Sequence, residues 1–276
     1  MSLTTAGTRS IAANSTNSAP VTNGIAPRAK VVIRLGRLWD AQRIGVIASA
    51  TYLETPMTKY LSPRAKNYYF IYELGFKLRA LNRMLDAQNA TFVAVEETNQ
   101  NYAIGYAQFV RLGNDEGAKK QIASRGWWGL TLVAFVFGKI LLPIFTYCFA
   151  SWSDDLQHVN EFVRALFKQS ASVFDSHPKR RNRWHAQSVV VSVDFQRMKI
   201  GKTLMGEAIK RAREEGVIVG LEASAEGEMM YKSVGFEVVQ RFEKLKGMPD
   251  EVPKEGGGIG GVMIWKPEGF TEDEKE

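Results

Sequence analysis

The residues best suited to chemistry lie close together between Trp184 and Phe236. At their centre is a short cationic turn, Gln196-Arg197-Met198-Lys199-Ile200-Gly201-Lys202-Thr203. A Val-rich apolar run at 185–193 precedes it and reads as a buried strand ending near Asp194. An amphipathic helix follows, with Leu204, Met205, Ala208, Ile209 and Ala212 on one face. That order suits phosphate: amides at a helix N-terminus have no intrahelical acceptor and sit at the positive end of the helix dipole. Arg197, Lys199 and Lys202 add positive charge. A second apolar run at 217–224 carries Glu222, the helix after it carries Tyr231, and His185 opens the first strand. Carboxylate, phenol and imidazole are the side chains from which acid–base pairs are made.

The segment resembles the GNAT N-acetyltransferases, whose acetyl-CoA pyrophosphate loop reads Gln/Arg-x-x-Gly-x-Gly/Ala after the fourth strand. Gln196 and Gly201 match that pattern, Lys199 stands where the first glycine falls, and Val193 replaces the upstream proline. Glycine allows positive φ, so Lys199 is expected either to adopt a strained but usable turn or to tilt the loop. The downstream Leu221-Glu222-Ala223-Ser224, then Tyr231 and Gly235-Phe236, is similar to the closing signature of fungal members.

The resemblance implies an α/β chain with a central mixed, mostly antiparallel sheet flanked by helices. It further implies an enzyme moving an acetyl group from acetyl-CoA to a primary amine by direct attack on the thioester, with no metal. The cofactor would lie on residues 196–203, with the amides of Val191 and Val193 pairing with pantetheine and a strand amide serving as oxyanion donor. Tyr231 takes the family's acid position. Three sources of base stay open. Glu222 stands in a context resembling the Leu-Glu-Val of bacterial ribosomal-protein alanine acetyltransferases, His185 competes, and a water relay needs neither. A small-molecule amine is the preferred acceptor, with protein N-termini or lysines as the alternative. A degenerate CoA-binding or docking scaffold is the rival reading, and a longer acyl chain stays open.

The elements that must position these groups are legible on either side. Residues 30–35 read as a strand, 40–51 and 68–89 as helices, and 91–96 with 103–111 as a hairpin turning at 98–101. Residues 237–242 and 261–265 supply two last strands, as antiparallel neighbours. The order β-α-α-β-β-insert-β-α-β-α-β-β is that of the GNAT fold and places the domain at 28–267, with a helical insert at 114–183 between strands 3 and 4.

A chain of 276 residues, 45% apolar and 24% charged, can bury a full core. A lone Cys148 excludes an intramolecular disulfide or a cysteine-rich metal site; it suits a reducing, cytoplasmic setting and is expected to pack inside. The net charge of +7 attracts polyanions such as CoA or lipid headgroups. No interleaved aromatic and basic module is present, so nucleic acid is not expected as a partner. Residues 1–27, rich in Ser, Thr, Asn and Ala, are expected to be disordered. Their lack of acids would suit a mitochondrial import segment, but Arg9 and Arg28 are the only cations before Lys30 and no amphipathic face is formed. The acidic tail 268–276 is expected to be loose, and 254–261 to form a Gly-rich turn.

Residues 126–150 hold apolar runs on both sides of Lys139, with Pro143 in the second. The length suffices to cross a bilayer. A single crossing, however, would put strands of one sheet on opposite sides of the membrane. The segment is therefore expected to be a buried helix roofing the acceptor cleft, with an oligomer contact or a peripheral membrane contact, anchored by Arg125, Trp127 and Trp128, as alternatives. Ser153 is expected to cap the helix that follows.

Overall fold

The computed structural model describes residues 30–124, 128–243 and 260–272, the side chains of 128–131 excepted. The expectations for 1–27, for Arg125 and Trp127, and for most of the turn at 254–261 lie outside these residues.

Seven strands form one mixed sheet in the order β1-β2-β3-β4-β5-β7-β6. They are β1 (Val31–Leu35), β2 (Asn89–Glu96), β3 (Asn99–Leu112), β4 (Arg183–Val191), β5 (Ile218–Ala223), β6 (Glu237–Arg241) and β7 (Gly261–Trp265). Only β4 and β5 run parallel; the other pairs are antiparallel. The expected architecture is the one observed. At the margins the strands differ: β2 and β3 meet in a tighter turn than expected, and β4 stops at Val191. Val193 falls in a 3-10 turn, Val193–Phe195, with its side chain in solvent.

Helices cover both faces. On one lie α1 (Asp40–Tyr52), the short α2 (Pro56–Leu61) and α3 (Tyr69–Leu85). Ile44, Ile47, Ala80 and Met84 pack there on Val93, Val95 and Tyr106. On the other lies α8 (Ile200–Glu215), whose Leu204, Met205 and Ala208 meet Phe92, Phe109 and Trp184. The alternation of β2 explains this division: Phe92 and Ala94 face α8 while Val93 and Val95 face α1 and α3. α2 went unread because six residues are too few to show a period; Thr55 caps it by accepting from the Thr58 amide, and Pro56 opens it.

A buried network fixes α8 against the sheet. Arg111 Nε donates to Glu215 at 2.7 Å, the Trp184 indole donates to the same carboxylate at 3.0 Å, and Arg111 also reaches Asp115 at 2.6 Å. These bonds hold the C-terminal end of α8, and so aim its N-terminus.

Between β3 and β4 come α4 (Glu116–Ala123), a long helix α5 at 128–153, α6 (Leu156–Phe174) and the single turn α7 (Pro178–Arg181). α5 contains two π-helical turns, Phe137–Leu141 and Thr146–Ala150. It lies antiparallel along α3: Gly138 is beside Asn82, Phe145 beside Gly75, and the Trp152 ring is tilted against that of Tyr68 at 5.9 Å. Arg64 secures its end by donating to the carbonyls of Ser151, Trp152 and Asp154.

Four expectations are corrected here. The insert helix is not a buried roof, because it covers α3 with one side and leaves Phe135 58%, Ile144 52% and Tyr147 88% exposed. Cys148 is exposed with it. Ser153 ends α5, and Asp155 caps α6 instead, accepting from the amides of Gln157 and His158. Asp155, the residue directly before the first helical position, is the better placed acceptor. The acidic C-terminal segment is also held, as far as it is described: Glu272 pairs with Arg180 at 2.5 Å and Lys266 at 2.7 Å.

Candidate active site

β4 and β5 pair over four residues only, from Arg183 with Ile218 to Ala186 with Leu221. Beyond that point β4 follows β3 to Val191 while β5 follows β7 to Ala223, so the two diverge into a notch. The cause is visible in the β3–β4 ladder, where Gln108 pairs with Ser188 and Phe109 with Ala186, leaving Gln187 as an extra residue. Such a bulge bends its strand. It leaves the backbone of 187–191 without a β5 neighbour, free to pair with an extended ligand. Gln196 Nε2 already donates to the Val191 carbonyl at 3.3 Å.

The cationic turn closes the open end of the notch. Lys199 does adopt the glycine conformation, φ 63° and ψ 8°, and Arg197 is also left-handed at φ 62°. Both are strained positions for residues with a Cβ. What this achieves is a sharp entry into α8 without a capping side chain. The first hydrogen bond at this end runs from the Thr203 amide to the Lys199 carbonyl at 3.1 Å, so the amides of Ile200, Gly201 and Lys202 have no acceptor within the helix. Three amides, a helix dipole and the charges of Arg197, Lys199 and Lys202 converge at this end of α8. Val193, turned away in its 3-10 turn, is not on the strand edge with Val191.

His185 and Glu222, read separately in the sequence, are brought together. His185 Nε2 lies 2.9 Å from Glu222 Oε2, and Ser170 Oγ donates to Oε1 at 2.5 Å. α6 supplies this floor: Phe174, fully buried, meets the imidazole edge-on at 5.4 Å and fits over Gly220, where a Cβ would come within 2.5 Å of its ring. Burial pushes the Glu222 carboxyl up, but hydrogen bonds from His185 and Ser170 and the charges of His185 and Arg183 outweigh it, leaving the group below its ordinary value. Glu222 is thus a carboxylate with both oxygens engaged. Ser170 had no signal in the sequence beyond its place on the buried face of α6.

Tyr231 lies on the opposite face, on α9 (Ala225–Lys232), its ring against Phe236. Burial raises its hydroxyl well above the ordinary range, and the nearness of Tyr52 raises it further. Tyr52 packs on the α1–α3 face of the sheet and Tyr231 on the α8 face.

A second group of side chains on the α1–α3 face had not been picked out. They line a cavity of about 160 Å³ against the bulge, walled by Tyr52, Arg79, Arg83, Tyr106, Gln187 and Ser188. Tyr106 and Ser188 share a hydrogen bond of 2.9 Å. Burial raises the Tyr52 and Tyr106 hydroxyls, and lowers both arginines from their ordinary value. Arg79 is exposed and Arg83 half-buried. The spacing of Arg79 and Arg83, four apart on α3 around the buried Ala80, was the available signal. His185 and Glu222 are not in this wall.

Residues 151–249 match the family model of the acetyltransferase (GNAT) domain, a span containing every cofactor and acid–base residue named above. The match is to that part of the chain and leaves β1 to β3 and their helices outside it. Solved structures similar to the chain include an acetyltransferase from Corynebacterium glutamicum described as histone acetyltransferase HPA2 and related acetyltransferase, at 15% identity over 87% of this chain and 98% of that one, with a TM-score of 0.48. Another is the PaiA N-acetyltransferase of Thermoplasma acidophilum in complex with coenzyme A, at 14% identity, 86% and 99% coverage and a TM-score of 0.46. A third is the mosquito arylalkylamine N-acetyltransferase-like 5b, at 12% identity, 86% and 100% coverage and a TM-score of 0.48. No curated protein is close enough in sequence to match.

Proposed function

We propose that the protein is an acetyl-CoA-dependent N-acetyltransferase acting on a primary amine. The observation that carries this is the notch: β4 and β5 part after Ala186 and Leu221, and the uncapped N-terminus of α8 faces the opening. Pantetheine pairs with the free edge of β4 and the pyrophosphate lies on residues 196–203. Val191 is the strand residue that remains for this pairing, and a β4 amide beside the bulge takes the oxyanion as the thioester carbonyl is attacked.

In the mechanism we propose, the amine attacks the carbonyl carbon, a C–N bond forms and the C–S bond breaks. Tyr231, protonated throughout the physiological range, gives its proton to the departing thiolate. The Glu222–His185 pair takes the amine's proton through intervening water: the carboxylate is ionised, and its imidazole partner can store the proton. His185 also positions the carboxylate. The enzyme is cytoplasmic in this reading, and the exposed side of α5 supports a peripheral membrane contact.

Calorimetric titration with acetyl-CoA and with CoA lacking the 3′-phosphate tests the cofactor site, and release of CoA thiol on adding amines tests transfer. Micromolar binding with amine-dependent release is the expected result. A folded protein that binds neither nucleotide would overturn the proposal in favour of a non-catalytic scaffold.

A further inference from the structure

Resting on the acetyltransferase reading, we infer that the acceptor is an amine that also bears a carboxylate, an amino-acid-like molecule whose anionic end is held by Arg79 and Arg83. The cavity beside the β4 bulge contains two guanidinium groups and no acid. Among the described residues, no carboxylate comes within 4.0 Å of either guanidinium. Asp154 acts on Arg79 only through its field, and its Oδ1 is already bonded to Ser153 at 2.8 Å. Arg79 otherwise lies over the Phe76 ring at 4.4 Å, a contact that fixes its plane and uses none of its donors. Arg83 makes one hydrogen bond, to Gln108 Oε1 at 3.3 Å. Gln108 is itself fixed, donating to the Ala80 carbonyl and to Thr91, so Arg83 is oriented rather than neutralised.

Two guanidinium groups on one cavity wall without a carboxylate partner, Arg79 exposed and Arg83 half-buried, form a receptor for a planar anion, which they bind through paired N–H donors. At the sheet side of the same cavity, the Gln187 side-chain oxygen is buried and lacks a partner. An unpaired acceptor beside the bulge suits an N–H donor. Cations on the α3 wall and a bare acceptor on the β4 wall complement a molecule with a carboxylate at one end and an amine at the other. The amine end then lies at the notch, where the thioester must come. A cavity of about 160 Å³ is smaller than the roughly 300–1,000 Å³ that holds a drug-sized ligand. A small acceptor fits it. Polyamines, which are cationic throughout, do not complement this wall.

The test is binding to the full-length protein, by thermal shift and calorimetry, with and without CoA. The probes are amino acids, their decarboxylated amines, spermidine and O-phosphoethanolamine. The amino acids should bind at least about 10-fold more tightly than their decarboxylated counterparts, as expected for charge-assisted hydrogen bonds. Arg83→Met and Arg79→Met should each abolish that preference, and Arg83→Lys should restore part of it. Stronger binding of decarboxylated amines or spermidine would overturn the inference. So would stronger binding of O-phosphoethanolamine, which would assign the wall to phosphate, or a preference unchanged in both Met variants shown to be folded. Because these are binding measurements, they decide the inference even if acetyl-CoA fails to bind and the transferase reading falls.

Discussion

Replacing Lys199 separates the two things this residue does. Its backbone stands at φ 63° and ψ 8°, a region that costs a residue with a Cβ roughly 1–2 kcal/mol. Lys199→Ala keeps that strain and removes the charge. Lys199→Gly removes both, and adds about 0.5–1 kcal/mol of unfolded-chain entropy. The difference between the two variants is therefore a backbone term, about 1 kcal/mol in favour of Gly, or ~2–4 °C in the unfolding midpoint of a chain this size. Acetyl-CoA affinity should fall equally in both, since each loses one exposed cation; about 0.2–1 kcal/mol is the usual worth of such a charge, and added salt should shrink it. Urea unfolding followed by circular dichroism reads the first quantity, and calorimetric titration at two salt concentrations reads the second. A Gly variant no more stable than the Ala variant would refute the strain. A Gly variant that binds acetyl-CoA more tightly than the wild type would show that loop geometry, not charge, limits the site.

Gly220→Ala would drive a methyl to within 2.5 Å of the Phe174 ring and 3.2 Å of His185 Nδ1; overpacking of this kind costs about 1–3 kcal/mol, and turnover should fall with it, whereas a variant of unchanged stability and rate would show that the floor yields freely. Glu228 is fully buried, and its carboxyl is held at about 2 by the hydrogen bond from Arg241 first, then by Lys232, against the opposing effect of burial. Its folded-state pKa is depressed, so its contribution is complete above the ordinary carboxylate value near ~4.3 and is lost as pH falls towards about 2. Glu228→Gln should cost about 1.5–3 kcal/mol at neutral pH and converge with the wild type in acid; a constant gap in urea midpoints from neutrality to low pH would count against the pairing. Phe135→Glu with Tyr147→Glu should abolish flotation with phosphatidylserine-containing vesicles without changing the unfolding midpoint, and absence of flotation in the wild type would remove the membrane contact.

How much was legible followed from how local each signal was. The strands and α8 carry their own periodicity, so Val93 and Val95 against Phe92 and Ala94 already divide one face from the other. Lys199 was legible as a departure because a single position in a short loop demanded positive φ, and the backbone met that demand at a cost instead of refusing it. The end of β4 was misjudged because Val193 is as apolar as its predecessors; the chain leaves the ladder in the 3-10 turn, where the Phe195 amide donates to the Ser192 carbonyl, and composition does not record that. The exposure of α5 was hidden for the same reason. Apolarity states that a face seeks cover, not that α3 covers only one side of it.

The acid–base pair and the cavity were illegible in a deeper sense, because each is a product of register. His185 and Glu222 are 37 residues apart and meet only since Ala186 pairs with Leu221. One residue further the bulge at Gln187 reverses the alternation of β4, sending Ser188 towards Tyr106 and opening the space that Arg79 and Arg83 face. A single extra residue therefore does two jobs. It parts β4 from β5, where the cofactor is proposed to lie, and it turns polar side chains into the wall of the proposed acceptor cavity. Straightening β4 would remove the notch and the wall together, so the two halves of the proposed reaction share one structural cause.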